Sequence, residues 1–176
     1  MPFMPCHWGP ATFIGLALFR LFDFPTLLVS CVILDAEPMV VWAFNLDRPL
    51  HGVSHSFLVG APIAILVAAI TYLSKSKIRP ILADLKLAQD SSFAKMLWSS
   101  FVGVYSHIVL DAPLYTDIRP FWPSDRNPLY GPFSDKQIYM TCFVTLALGA
   151  ALYGLRLLMA GKSSSPQPPD STADRK

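Results

Sequence analysis

Charge is scarce in this chain. Only 15% of its 176 residues are Asp, Glu, Lys or Arg, while 53% are apolar, a balance skewed against a water-soluble globule. The net charge of +2 is too small to point to nucleic acid, and no basic stripe with interleaved aromatics occurs, so nucleic acid is set aside as a partner. Cysteine is sparse as well. Cys6, Cys31 and Cys142 are odd in number, far apart and without CxxC spacing, which argues against a disulfide framework or a thiolate zinc site and leaves buried bystander thiols. No Lys or Arg precedes Arg20 and no small-residue cleavage site follows the first apolar run, so the N-terminus does not read as a cleaved signal peptide and is expected to stay with the fold. Histidine is rare too: the chain has four, each at or beside the end of an apolar segment.

What is abundant is apolar sequence in blocks, approximately Pro10 to Phe22, Thr26 to Phe44, Ser56 to Leu73, Ala94 to Leu114 and Gln137 to Ala160. A spanning helix needs about 20 apolar residues, which the third and fifth blocks approach or exceed. The first is short and reads as a tilted, re-entrant or interfacial helix as readily as a span. The expected fold is therefore all-α, a polytopic membrane bundle of about four to five hydrophobic helices over residues 1–161. Residues 162–176, KSSSPQPPDSTADRK, have no core-forming side chains and read as a disordered polar tail. If all five blocks cross, the loop expected to hold Lys75, Lys77, Arg79, Lys86 and Lys95 lies in the cytoplasm by the positive-inside rule. Ten Lys and Arg then lie inside against Arg48, Arg119, Arg126 and Lys136 outside, the C-terminus is cytoplasmic and the N-terminus faces out. The loop from Pro113 to Lys136 is long, rich in proline and aromatic residues, and cannot be helical throughout. It reads either as a lid over a site or as an aromatic belt at the membrane interface. Trp8, Trp42 and Trp98 read as interfacial anchors or core packing.

The blocks are interrupted by residues that a lipid-facing helix would not tolerate. Asp35 and Glu37 break the second, and His107 and Asp111 lie in the fourth. His51 and His55 have the i, i+4 spacing that puts two imidazoles on one helix face, and His107 and Asp111 repeat it with a carboxylate. His7, His51, His55 and the end of the fourth block at Asp111 approach one membrane side, whereas Asp35 lies deeper in its block and is expected to reach up from within the bundle or to mark a broken helix. A lone intramembrane His or Asp is more often packing, a proton relay or an ion-pair partner than a ligand; it is the paired spacings HxxxH, HxxxD and DxE that favour a metal. Nitrogen and carboxylate donors without sulfur suit Zn, Mn or Fe, and the donors suffice for one or two ions. The expected ligands are Asp35, His51, His55, His107 and Asp111, with Asp35 ranked above Glu37. His7 is expected to be a further ligand or to act catalytically, and Glu37 to be a general base. Gly52 stands where a zinc protease would have the glutamate of HExxH, which argues against a peptidase. Arg48 and Arg119 read as solvated loop charges before phosphate holders.

The pieces MPFMPCHWGP, LDAEP, HGVSHSFLVG, YSHIVLDAP and RPFWPSDRNPLYG together resemble the YdjM-like family of inner-membrane proteins described as metal-dependent hydrolases. The resemblance covers most of residues 1 to 160. It implies a helical bundle distantly similar to zinc-dependent phospholipase C and the P1-type nucleases, in which the pair His107 and Asp111 looks like a His-x-x-x-Asp metal pair. Asp35, His51 and His55 would take other ligand roles. The further downstream ligands of the soluble enzymes are lacking, so one or two metals are implied instead of three. The function expected is a membrane-embedded metal-dependent hydrolase acting through activated water on a phosphoester, lipid-linked or otherwise, with membrane lipids around it. Proton or metal-ion transport through the same cluster, or a metal-binding scaffold, is the alternative.

Overall fold

The computed structural model describes residues 5–162, and among these every regular element is a helix. The tail reading, apart from the start of that segment, falls on residues outside this range. Helix α1, Pro5–Ala17, has 13 residues and is about 20 Å long. It is shorter than the ~30 Å hydrocarbon core and is not among the four segments long and apolar enough to cross. Helix α2, Phe24–Ser30, begins at Asp23, whose carboxylate accepts from the Thr26 N–H at 3.1 Å and the Thr26 hydroxyl at 2.5 Å. Pro25 occupies the first turn, where no donor is required.

The second apolar block is not one helix. After α2 the chain makes a 3-10 turn at Ile33–Asp35 and resumes as α3, Ala36–Ala43; the whole segment Phe24–Ala43 remains long and apolar enough to cross. Helix α4, Phe57–Asp84, starts at Ser56, whose hydroxyl accepts from the Val59 N–H at 3.2 Å. It runs beyond Leu73 and takes in Lys75, Lys77 and Arg79. The reading that placed these cations in a loop is corrected: Lys and Arg are good helix formers, so the end of an apolar run does not end the helix. Helix α5, Phe93–Asp111, is started by Ser92, and α6, Asp135–Lys162, closes the bundle.

Helix α1 packs along α6, while α2 and α4 flank α5. A side chain on Gly9 would strike the Cys142 carbonyl of α6, so the close approach of α1 and α6 requires glycine there. Gln89 ties the α1–α2 turn to the start of α5: its Nε2 donates to the Phe19 and Phe22 carbonyls at 2.6 and 2.8 Å, and its Oε1 accepts from the Phe24 N–H at 2.8 Å. Apolar packing centres on Leu34, Ala64, Val104 and Ile108, and on Ala11, Phe22, Leu27 and Cys31. Between these clusters the interior is polar. Ser30 and Ser100 join hydroxyls at 2.9 Å, and Ser100 donates to the Ala64 carbonyl at 2.8 Å. The outside is apolar, with Leu73, Phe143 and Leu158 exposed. Trp8, Trp42 and Trp98 are exposed as well, which removes the core-packing reading and leaves that of anchors.

Candidate metal centre

Helix α5 supplies the first two groups. His107 and Asp111 lie one turn apart on its buried face, with His107 Nε2 3.3 Å from Asp111 Oδ2. The other ring nitrogen, Nδ1, donates to the Cys31 carbonyl at 2.8 Å. That carbonyl belongs to the unwound chain after α2, and it turns Nε2 toward the carboxylates. From α1 comes His7, whose ring stacks on His107 with centroids 4.0 Å apart and whose Nε2 lies 3.3 Å from Asp111 Oδ1. The break between α2 and α3 brings Asp35, its Oδ1 3.8 Å from His107 Nε2. One donor atom from each of His7, Asp35, His107 and Asp111 lies within 4.8 Å of every other.

Asp111 also belongs to a second group with His51 and His55 at the same mutual spacing. These two histidines are close, with ring centroids 4.8 Å apart, but not for the reason their spacing suggests. Neither is on an α-helix: His51 lies in the approach to the 3-10 turn Val53–His55, and α4 begins only after Ser56. The i, i+4 helical-face reading is corrected accordingly, since Ser56 in extended conformation caps α4 and keeps the histidines outside it.

Glu37 stands apart from Asp35. Its carboxylate accepts from the Gly52 N–H at 3.2 Å and closely from the Ser54 hydroxyl, and lies 3.7 Å from His55 Nδ1. With its proton directed at Glu37, the Ser54 oxygen is left to accept from His55 Nδ1 at 3.2 Å, so His55 Nε2 carries the free lone pair. Burial holds the His55 imidazole below the ordinary histidine value against the opposing pull of Glu37, which keeps it neutral, as a ligand must be. The loop after α5 adds Asp117, 2.9 Å from His51 Nδ1, and Tyr115, whose ring lies 4.3 Å from that of His51. Burial would push the Asp117 carboxyl up, but the backbone N–H and ring of His51 hold it below the usual carboxylate range.

The decisive feature is what these atoms lack. His7 Nδ1 and Nε2, Asp35 Oδ2, His55 Nε2, His107 Nε2 and Asp111 Oδ1 are buried without a hydrogen-bond partner. Buried polar atoms are nearly always satisfied; here five side chains from four elements, gathered in two groups that share Asp111, keep a nitrogen or carboxylate oxygen without a well-formed hydrogen bond, His7 and His107 meeting Asp111 only at 3.3 Å, and such a set fits a cation. The cysteines are free and lie outside both groups, so the donors are nitrogen and carboxylate oxygen throughout.

Sequence reasoning named every member of both groups. It missed Asp117, Tyr115, Ser54 and the Cys31 carbonyl; of these only the loop holding Tyr115 and Asp117 gave a signal, by its length and composition. Arg119 pairs with Asp125 at 2.7 Å on the exposed side of that loop. No curated protein and no solved structure matches the chain. Residues 10–165, which carry all of these groups except His7, match the YdjM inner membrane protein family, and the chain belongs to it.

Proposed function

We propose that this protein is a membrane-embedded hydrolase of phosphoesters that uses one or two divalent ions, zinc in the first instance, held by the two buried groups. The observation that carries the reading is the set of unpartnered donor atoms around Asp111. Leaving a buried donor or acceptor unmade costs about 1–3 kcal/mol, and a fold that gathers several is best explained by a ligand that satisfies them together. His7, Asp35, His107 and Asp111 would hold one ion, and His51, His55 and Asp111 a second, with Asp111 common to both. When bound, divalent metal supplies Lewis acidity, making water a competent nucleophile near neutral pH and offsetting charge on phosphoryl oxygens.

The chain's own residues prepare the site. Cys31 aims His107 through its carbonyl, Ser54 and Glu37 aim His55, and burial keeps bulk water from competing for the donors. Glu37 stands behind His55 and, with Ser54, would hold the Nδ1 proton in place, so that Nε2 is left for the ion. The excess of cations at the opposite end of the bundle favours a cytoplasmic position for that end, which would leave the site serving the other side.

The test is elemental analysis of detergent-purified protein never exposed to chelator. We expect one or two transition-metal ions per chain in the wild type, loss of metal in Asp111→Asn with the helical content retained, and turnover of a phosphoester panel by the wild type alone. Absence of stoichiometric metal overturns the proposal. Metal flux into proteoliposomes that disappears in His107→Ala, without turnover, replaces it with transport.

A further inference from the structure

Of the three histidines whose Nδ1 is engaged, His107 and His55 are aimed by groups of the bundle or its immediate connections. The carboxylate beside His51 comes instead from the loop between α5 and α6. Asp117 makes two bonds to this one residue: Oδ2 accepts the backbone N–H of His51 at 3.1 Å, and Oδ1 lies 2.9 Å from the ring Nδ1. A carboxylate only accepts, so Nδ1 must carry the proton and the Nε2 lone pair is left for the interior. His51 is buried while the Asp117 side chain is 31% exposed.

The loop is itself fixed to the bundle. Asn127 Nδ2 donates to the Ala112 and Tyr115 carbonyls at 2.8 and 3.1 Å, the Gly131 N–H donates to the Pro113 carbonyl at 3.0 Å, and the Phe57 N–H that opens α4 donates to the Pro120 carbonyl at 2.9 Å. A carboxylate on so constrained a segment has a defined position.

We propose that Asp117 is a positioning residue that selects the Nδ1–H tautomer of His51 and thereby completes the second ligand group, making the loop part of the metal site. The inference deepens the reading above and rests on it for the identity of what His51 binds, but the tautomer is a property of the metal-free protein. Carboxylates behind metal-binding histidines are worth about 10–100-fold in metal affinity.

The experiment is long-range proton–nitrogen correlation on detergent-solubilised protein labelled with 15N-histidine, first metal-free and then with added Zn, the His51 signals being identified by their absence in His51→Gln. We expect the Nδ1–H tautomer for His51 in the wild type. In Asp117→Ala we expect tautomer exchange or reversal and at least a ten-fold loss of Zn affinity in the binding step that shifts the His51 signals, with partial recovery in Asp117→Glu. A wild-type His51 protonated on Nε2 overturns the inference, as does a folded Asp117→Ala whose tautomer and Zn affinity are unchanged. Should Asp117→Ala fail to fold, the wild-type tautomer still decides. A wild type that takes up no metal but shows the expected tautomer sinks the hydrolase reading and leaves Asp117 as the residue that orients His51.

Discussion

At the scale of single residues, the site is a set of side chains that a bundle built only for stability would not keep. His7 is the clearest case. It is 2% exposed, its ring lies flat against His107, its Nδ1 lacks a partner and its Nε2 meets Asp111 Oδ1 only at 3.3 Å without a well-formed hydrogen bond. A phenylalanine fills similar space and stacks without polar atoms to satisfy. Losing a group whose hydrogen bonds are poorly made costs little, while the buried Asp111 carboxylate loses the ring that faces it at 3.3 Å, so His7→Phe should leave the metal-free protein within about 1 kcal/mol of the wild type. The balance changes with metal present. A ligand at 100 times its Kd adds about 2.7 kcal/mol to the folded state, and His7→Phe should lose most of the part that comes from the first group. Thermal melts in detergent with and without Zn measure both numbers. A His7 that merely packs predicts the same gain in stability on adding Zn for the variant as for the wild type.

At the scale of elements, the site depends on where helices stop. The sequence shows that Asp35 and Glu37 interrupt an apolar block and that Pro38, with no N–H to bond the Leu34 carbonyl, cannot continue a helix from before it, but it does not show that the interruption is a 3-10 turn between two short helices. The same holds for His51 and His55: their spacing suggests a helical face, whereas they meet through an irregular approach to α4 that is held by Glu37 and Asp117. Only His107 and Asp111 sit together for the reason the sequence suggests. The approach of α2 to α5 fixes this arrangement, and it turns on Gly103. A Cβ there would lie 2.5 Å from Ser30 Cβ, 2.9 Å from the Leu27 carbonyl oxygen and 3.0 Å from the Cys31 nitrogen. Two of those atoms are backbone and cannot swing away, and Cys31 is the residue whose carbonyl aims His107. Gly103→Val should therefore cost about 1–3 kcal/mol, as overpacking does, and lower metal content as well. Gly154 on α6 has nothing within 4 Å of its virtual Cβ, so Gly154→Ala should gain up to about 1 kcal/mol from helix propensity with metal content unchanged. Melting curves beside elemental analysis of the two variants separate a positional requirement from a general intolerance of substitution.

At the scale of the whole molecule, the interior mixes apolar packing with buried histidines, acids, serines and threonines, while leucine, isoleucine and phenylalanine also cover much of the outside. This much was plain in the sequence, because length and hydropathy fix which segments can cross a bilayer. Which polar residues meet was only partly plain, since contacts between distant segments such as His7 with Asp111, or His51 with Asp117, have no local signature. The two ends of the bundle also differ, and that difference predicts orientation. Crossings by α2–α3, α4, α5 and α6 would leave the start of α2 and the end of α6 on one side, opposite the site. At the end away from the site, Arg156 donates to the Lys86 carbonyl at 2.8 Å and lies over the Phe19 ring, and Lys95 Nζ donates to the Phe19 carbonyl at 3.4 Å. Lys75, Lys77 and Arg79 on the last turns of α4 point the same way in the count of cations. Cytoplasmic connections carry the excess of Lys and Arg. A green fluorescent protein fused after Lys162 should accordingly fluoresce, and alkaline phosphatase should be inactive at that position but active when inserted between Ala43 and His51, at the site end. A reversed pattern would put the metal groups on the cytoplasmic side and require any phosphoester to reach them from within the cell. Reversing the charge of Lys75, Lys77 and Arg79 together should shift the two reporters toward that reversed pattern if the cations set the orientation.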